Sequence, residues 1–144
     1  MIGRVLGVAF LLVAFAVPSA QASVQSAQSA EQAAIIAVIE DQLQAFQADD
    51  GIRAFSHASP SIQAMFGRPD VFMEMVRRGY QEVYRPQTVE FRDLVAEQDS
   101  LVQRVFVVGP NGKAAVARYY MQRQPDGSWK INGVVMEQVS EHSV

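Results

Sequence analysis

The sequence predicts an α+β fold in which N-terminal helices pack on one face of a curved four-stranded antiparallel sheet. The stretch from Val89 to Met136 is rich in β-branched and aromatic residues, and two turn signals interrupt it: Gly-Pro-Asn-Gly at 109–112 and Gln-Pro-Asp-Gly-Ser at 124–128. Runs of this composition separated by short turns are typical of strands joined by hairpins. Upstream, apolar residues recur at helical spacing, which predicts the helices that cover the sheet.

The first 22 residues have the pattern of a removable signal peptide. Arg4 supplies a positive n-region, residues 5–17 form an apolar run, and Ala20-Gln21-Ala22 has the small-x-small form of a signal peptidase site. The apolar run is shorter than the roughly 20 residues that a membrane-spanning helix needs. We therefore expect cleavage after Ala22, a periplasmic or secreted mature protein, and no membrane attachment once the segment is removed.

Composition narrows the classes of function that remain. The 144-residue chain has no cysteine, which excludes thiolate metal ligands and a thiol nucleophile and leaves packing as the source of stability. Its formal charge is −3, and basic residues alternate with acidic ones without forming a cluster. This argues against nucleic acid or an anionic membrane as a partner. After the signal peptide we expect a flexible lead-in at 23–30, a single domain at 31–138 and a polar tail at 139–144.

The helical part is predicted as four pieces. The first, residues 31–48, ends at Asp49-Asp50-Gly51, where Gly51 accommodates a left-handed turn and an Asp caps the short piece that follows. Ser59-Pro60 is a favourable helix start, and Gly67 ends that piece. The last piece runs from Pro69 to Tyr84, just ahead of Pro86. The expected buried residues are Ile35, Ile39, Leu43, Phe46, Ile52, Phe55, Ile62, Met65, Phe66, Phe72, Met75, Val76 and Tyr80.

Strict alternation assigns the two faces of the sheet. Side chains two residues apart in a strand share a face, and charged Arg118 and Lys130 should reach water. The helix-covered face is therefore predicted to carry Ala117, Tyr119, Met121, Trp129, Ile131, Gly133 and Val135, and the open face Val116, Tyr120, Val134 and Met136. The strand at 101–108 is apolar on both faces around Gln103 and Arg104, which predicts either cover on both sides or a bulge.

Four motifs resemble a known family. They are AFQADD at 45–50, ASPSIQ at 58–63, GYQEVYRP at 79–86 and QPDGSW at 124–129. On these motifs the mature chain resembles an exported proteobacterial family known as domain of unknown function 4864. The order of helices and strands resembles a nuclear-transport-factor-2-like, or cystatin-like, α+β roll. The family resemblance implies no settled activity, and the roll hosts isomerases, dehydratases, transport adaptors and accessory domains, so it implies no particular one.

The most suggestive candidate site groups Tyr80, Tyr84, Arg85 and Tyr119. Tyr80 and Tyr84 are four residues apart on the predicted helix, and Arg85 leads into the first strand, near the mouth of a roll's cavity. These groups would present hydroxyls and a guanidinium to a small apolar or carboxylate-bearing ligand. The alternative is structural: the tyrosines fill the core with their hydroxyls at the rim, and Arg85 stabilises the end of the helix.

His57 and the pair Asp49–Asp50 are the candidates for acid–base chemistry. A histidine has a suitable pKa near neutrality, and adjacent carboxylates can shift one another's pKa. The alternatives are a helix-end histidine bonded to backbone and a helix cap with a turn. With one His in the predicted domain and no Cys, the sequence predicts no metal site and no cofactor.

Three functional hypotheses follow. The first is a non-enzymatic binding or accessory domain with a modest apolar pocket rimmed by Tyr80, Tyr84 and Arg85. The second is an isomerase- or dehydratase-like enzyme with His57 or an Asp as base and a tyrosine as donor. The third is a homodimer formed through the open sheet face.

Overall fold

The computed structural model describes residues 20–139 and confirms the α+β fold, with helices on one face of a four-stranded antiparallel sheet. The predicted signal peptide lies almost wholly outside the described residues, as do residues 140–144 of the predicted tail. No helix within 20–139 has the length and apolarity needed to cross a membrane. The elements are α1 Ala20–Gln47, α2 Gly51–Ser56, α3 Pro60–Phe66, α4 Pro69–Gly79, α5 Gln81–Tyr84, β1 Thr88–Glu97, β2 Ser100–Val108, β3 Ala114–Arg123 and β4 Trp129–Gln138.

The sheet is the predicted meander. Its strands lie in the order β1-β2-β3-β4 and each neighbouring pair is antiparallel. The two turn signals fall between β2 and β3 and between β3 and β4, where Gly112 and Gly127 adopt positive φ angles of 78° and 85°. Glycine is favoured in that left-handed region because it has no Cβ.

Helix α1 packs on the sheet through its C-terminal half. Ile35, Ile39, Leu43 and Phe46 are all buried, as their spacing predicts. Residues 23–30, predicted as a flexible lead-in, instead form exposed early turns of α1. The packed C-terminal half supplies the helix nucleus, and extending it through residues 23–30 adds one backbone hydrogen bond for each residue fixed, with alanine and glutamine at four of the eight positions.

In the turn after α1, the residue with the left-handed conformation is not the predicted one. Asp49, not Gly51, has the positive φ, at 52°. Asp50 is the N-cap of α2 and its carboxylate accepts from the Arg53 backbone N–H at 3.1 Å. Gly51 is needed for close packing instead, because a Cβ there would lie 2.9 Å from the Met73 side chain. Aspartate tolerates the left-handed region better than most residues.

The helix predicted from Pro69 to Tyr84 is interrupted at Tyr80. Helix α4 ends at Gly79, Tyr80 has φ −136° and ψ 46°, and a separate short turn, α5, follows. Gly79 is a weak helix former, so the chain leaves the helical region here at low cost. Tyr80 and Tyr84 therefore do not share the face of one continuous helix. The predicted start and end of α3, at Ser59-Pro60 and Gly67, are confirmed.

A bulge in β4 reverses the predicted faces of its second half. Met121 pairs with Ile131, yet the next residue back, Tyr120, pairs with Gly133, so Asn132 is the extra residue. Beyond it the alternation shifts by one position. Val134 and Met136 pack against the helix-covered core, whereas Val135 is 47% exposed, so the assignment of these three residues from strict alternation is wrong.

The irregularity suspected in β2 lies in β1. The β1–β2 register shifts between Phe91 and Leu94. Gln103 of β2 is fully buried at this point, and its side-chain amide donates to the Arg92 carbonyl at 2.8 Å, while Gln32 of α1 donates to the Gln103 side-chain oxygen at 3.2 Å. A buried amide that satisfies a carbonyl freed by a bulge explains why a glutamine interrupts an apolar strand.

Candidate functional site

A cavity of about 350 Å³ lies between the helices and the β3–β4 half of the sheet. Its residues are mostly apolar, and Met65, 73% exposed, marks the side on which it reaches the surface. Pockets that bind small molecules have about this size and character. The lining residues are Gln42, Phe46, Ile62, Met65, Phe66, Phe72, Met75, Val76, Tyr80, Val83, Tyr119, Ile131, Gly133 and Val134.

Three phenylalanines of the lining meet in one aromatic cluster. The Phe72 ring lies 6.2 Å from the Phe46 ring and 5.7 Å from the Phe66 ring, centroid to centroid, and Phe55 contacts it at 5.3 Å from outside the lining. Tilted and edge-on contacts at these distances are favourable beyond the area that they bury. The cluster therefore forms a well-packed wall that joins α1, α2, α3 and α4.

Tyr119 is the least satisfied polar group of the cavity. It is fully buried, and its hydroxyl is the one buried side-chain polar atom in residues 20–139 without a hydrogen-bond partner. Burial raises the pKa of Tyr119 well above its ordinary value, because the charged phenolate is poorly solvated there. The hydroxyl is therefore a neutral donor and acceptor, and a ligand or water is the kind of partner that it lacks.

Gln42 is the second buried polar side chain of the lining. It is 3% exposed, and its amide nitrogen donates to the Ala54 carbonyl at 3.1 Å. This bond fixes the amide of α1 against α2. No Asp, Glu, His, Lys or Arg is among the residues that line the cavity, so the lining has neither a general base nor a fixed charge.

Of the four residues in the leading candidate group, Tyr80 and Tyr119 line the cavity, and Tyr84 and Arg85 do not. The Tyr84 hydroxyl donates to the Asp49 carboxylate, and Arg85 pairs with the other oxygen of that carboxylate at 3.0 Å. Because the helix breaks at Tyr80, the two tyrosines lie in different environments. The structure thus divides the group between a cavity and a separate polar cluster.

This polar cluster, formed by Asp49, Arg77, Tyr84 and Arg85, secures the end of α1. The Arg85 guanidinium donates to the Phe46 carbonyl at 2.5 Å and lies 4.0 Å from the centre of the Tyr84 ring. The Tyr84 hydrogen bond is the main cause that lowers the pKa of Asp49, and the nearby Arg85 and Arg77 charges act in the same direction. Its side chains bond to one another and to the Phe46 carbonyl, and these contacts link the end of α1 to α4 and α5.

His57 lies at the end of α2, away from the cavity lining. Its Nε2 is 2.5 Å from the Asp41 carboxylate, which also accepts from Arg53 Nε at 3.0 Å. The Arg53 hydrogen bonds, followed by that from His57, hold the pKa of Asp41 well below its usual range. The backbone of His57 accepts from the Ile131 N–H at 2.8 Å, which ties α2 to β4.

The proposed dimer patch changes with the bulge in β4. Val134 and Met136 face the helices, so Val116 and Tyr120 are the two predicted patch residues that remain on the open face. Between those two lies Arg118, which binds Glu97 and also donates to Glu137 at 3.0 Å. The Tyr120 hydroxyl donates to Glu97 at 3.0 Å. The open face therefore carries a polar network among its apolar residues.

Sequence reasoning missed three kinds of lining residue. Gln42 is polar, but its position seven residues after Ile35 and four before Phe46 places it on the buried face of α1, and this spacing is a signal that identifies it. Strict alternation assigns Val134 to the other face; Gly133, a glycine inside a strand pattern, is the signal that points to a bulge here. Val83 lies on α5, whose separation from α4 was not predicted. Within residues 20–139 no cluster of three or more His, Asp or Glu side chains is arranged to hold a metal ion.

Fold and site together define a small α+β domain with an apolar cavity between its helices and its sheet. The chain belongs to the family described as domain of unknown function DUF4864, whose sequence profile matches residues 28–144. The family resemblance drawn from the four motifs is thereby confirmed, while the nuclear-transport-factor-2-like roll and the proteobacterial origin stay predictions. No curated protein and no solved structure matches the chain.

Proposed function

We propose that this protein is a non-enzymatic domain that binds a small apolar molecule in the cavity between its helices and β3–β4. The observation that carries the proposal is the 350 Å³ space itself, which is lined by apolar side chains and reaches the surface near Met65. Protein interiors are normally packed with few voids larger than a water molecule. A space of this size forfeits packing contacts, and a bound molecule would restore them.

The lining supports binding rather than the isomerase- or dehydratase-like alternative. That reaction needs a base within hydrogen-bond reach of the substrate. Asp49 is engaged by Tyr84 and Arg85, and His57 is engaged by Asp41; neither belongs to the lining. Dimerisation through the open face is also less well supported, because Arg118 and its two glutamate partners occupy the centre of that face.

The test uses indane, a small apolar probe, and two residues adjacent on β4. Val134→Trp places a larger side chain into the cavity, whereas Val135→Trp places the same side chain on the exposed face of the same strand. We expect saturable binding of indane by the wild-type protein and by Val135→Trp in an NMR titration, with shifts in residues of the lining. We expect Val134→Trp to weaken binding at least tenfold.

A second variant that narrows the cavity shows whether a loss of binding comes from filling the space or from misfolding. Met75 lines the same cavity from α4 and is only partly buried, so Met75→Trp enters the space from the helical side. Both tryptophan variants are compared with the wild type by cooperative urea unfolding. If folded Val134→Trp and Met75→Trp bind indane as well as the wild type does, or if the wild type shows no saturable binding, the proposed function is wrong.

We propose in addition that the domain works after export, on the basis of the n-region, the apolar run and the Ala20-Gln21-Ala22 motif. Expression of the whole chain in a Gram-negative host, followed by mass spectrometry of the periplasmic fraction, should find a protein that begins at Ser23. Ala22→Phe should block this processing, since the site needs a small residue. A product that keeps Met1 and remains in the cytoplasm would contradict the proposal.

A further inference from the structure

The ligand class follows from the polar groups of the cavity, and this inference rests on the proposed function. We propose that the ligand is neutral and mostly apolar, and that one carbonyl oxygen of it accepts a hydrogen bond from the Tyr119 hydroxyl. Tyr119 is thus a specificity-determining residue of the site.

The Tyr119 hydroxyl is the first observation. It belongs to a residue of the lining, it is fully buried, and no group in the described part of the chain bonds to it. The neighbouring residue on the same strand provides the contrast, because the Tyr120 hydroxyl has its partner in Glu97 at 3.0 Å. The hydroxyl has almost no surface accessible to a water-sized group in the ligand-free protein, so the ligand's acceptor reaches it by displacing side chains that cover it. An unpaired buried hydroxyl disfavours the ligand-free protein, and a ligand that supplies the missing acceptor removes this cost.

The charge of the lining is the second observation. No cationic side chain lines the cavity, and Arg85, the nearest candidate from the sequence, is held by Asp49 and by the Phe46 carbonyl. A carboxylate inside the cavity would lose its hydration without gaining a partner, which is far more costly than burying a carbonyl that accepts a hydrogen bond. The carboxylate-bearing ligand expected from the sequence is therefore disfavoured.

The size of the cavity matches a small ligand. A space of about 350 Å³ lies at the lower end of the roughly 300–1,000 Å³ that is usual for small-molecule sites. A ketone, aldehyde, ester or amide on a compact ring or short-chain body is of that size. Gln42 provides a second polar group in the same lining and can accept from a donor on the ligand.

The experiment compares three probes with one carbon skeleton: indane, 1-indanone and indane-1-carboxylate. Their dissociation constants are measured by NMR titration at neutral pH for the wild type, Tyr119→Phe and the control Tyr120→Phe. Tyr119→Phe removes one hydroxyl and keeps the ring. We expect it to weaken the binding of 1-indanone about three- to tenfold and to leave the dissociation constant of indane within about twofold of the wild-type value. Tyr120→Phe should change neither, and the carboxylate should bind at least tenfold more weakly than 1-indanone.

A spectroscopic readout separates the hydrogen bond from a change in packing. A hydrogen bond to a carbonyl oxygen weakens the C=O bond, so the infrared carbonyl band of bound 1-indanone should lie at lower wavenumber in the wild type than in Tyr119→Phe. The inference would be overturned if the carbonyl band lay at the same position in both proteins and Tyr119→Phe lost the same affinity for indane as for 1-indanone. The proposed function would remain intact. Tighter binding of the carboxylate would also overturn the inference. Absence of saturable binding by all three probes would instead refute the proposed function itself.

Discussion

Tyr119 on β3 lies directly opposite Val134 on β4, and both side chains line the cavity between the sheet and the helices. This pairing depends on the bulge at Asn132. With an unbroken alternation Val135 would face the helices in place of Val134, and the wall of the cavity would be different. One extra residue in a strand thus decides which side chains a ligand would meet.

Tyr119→Phe should stabilise the ligand-free protein. The variant removes a buried hydroxyl that has no partner in the described residues, and such a group costs about 1–3 kcal/mol. Urea unfolding should therefore show a higher midpoint with an unchanged slope. Tyr120→Phe is the matched control on the next residue of β3, and it should lower stability because it breaks the bond to Glu97. A lower midpoint for Tyr119→Phe would mean that the hydroxyl is already satisfied.

Asn132→Ala should destabilise the junction between α3 and the bulge in β4. The Asn132 side-chain oxygen accepts from the fully buried Ser59 hydroxyl at 2.7 Å and from Ser61 at 3.1 Å. Loss of this acceptor should cost about 1 kcal/mol and speed hydrogen exchange of the Ser59 amide, which donates to Ile131 at 2.8 Å. Ser61→Ala, which removes only the exposed donor, should cost less. Equal effects of the two variants would contradict this account.

The Asp41 carboxylate should make stability depend on pH in the acid range. Arg53 and, to a lesser extent, His57 lower its pKa in the folded state, so its contribution is present above the ordinary aspartate pKa of about 3.9 and is lost as the pH falls toward the lowered folded value. Between pH 5 and pH 2.5 the wild type should lose more stability than Asp41→Asn. Asp99→Asn, at an exposed residue, should lose as much stability as the wild type. If the free energy of unfolding falls in parallel with pH for the wild type and Asp41→Asn, Asp41 does not contribute to the pH dependence.

Phe72→Ala should be among the most damaging single changes. Phe72 is 5% exposed and its ring contacts those of Phe46, Phe55 and Phe66, so truncation enlarges the cavity and removes three aromatic contacts. We expect a loss of about 3–5 kcal/mol in the free energy of unfolding. Ile52→Ala, at a residue that is 77% exposed, should stay within about 0.5 kcal/mol. A small effect at Phe72 would show that this wall is not tightly packed.

The fold was predictable because hydrophobic periodicity and turn residues are local signals. The spacing of Ile35, Ile39 and Leu43 predicted the buried face of α1, and the two Gly-containing turns predicted the hairpins on either side of β3. The bulge at Asn132 was not predicted, because Val134, Val135 and Met136 are all apolar and so do not show which of them faces the helices. Asn132 accepts there from Ser59, a residue 73 positions away in the sequence, and a contact at that separation leaves no local pattern.

The candidate site was only partly predictable for the same reason. Tyr80 and Tyr119 were chosen as aromatic residues near the expected cavity, and both line it. Arg85 was expected at the rim, but its position depends on Asp49, 36 residues earlier, and pairings at that separation leave no local pattern. The unpaired hydroxyl of Tyr119 is likewise a property of its surroundings and not of the sequence around it.

The central claim is that this apolar cavity takes up small molecules, and xenon tests it most directly because apolar protein cavities bind the gas. Crystals of the protein under xenon pressure should show an anomalous peak among Phe46, Phe72, Val76 and Val134. The peak should vanish in Val134→Trp and persist in Val135→Trp. Wild-type crystals that diffract well under xenon and show no peak there, or that show the space filled by side chains, would contradict the account.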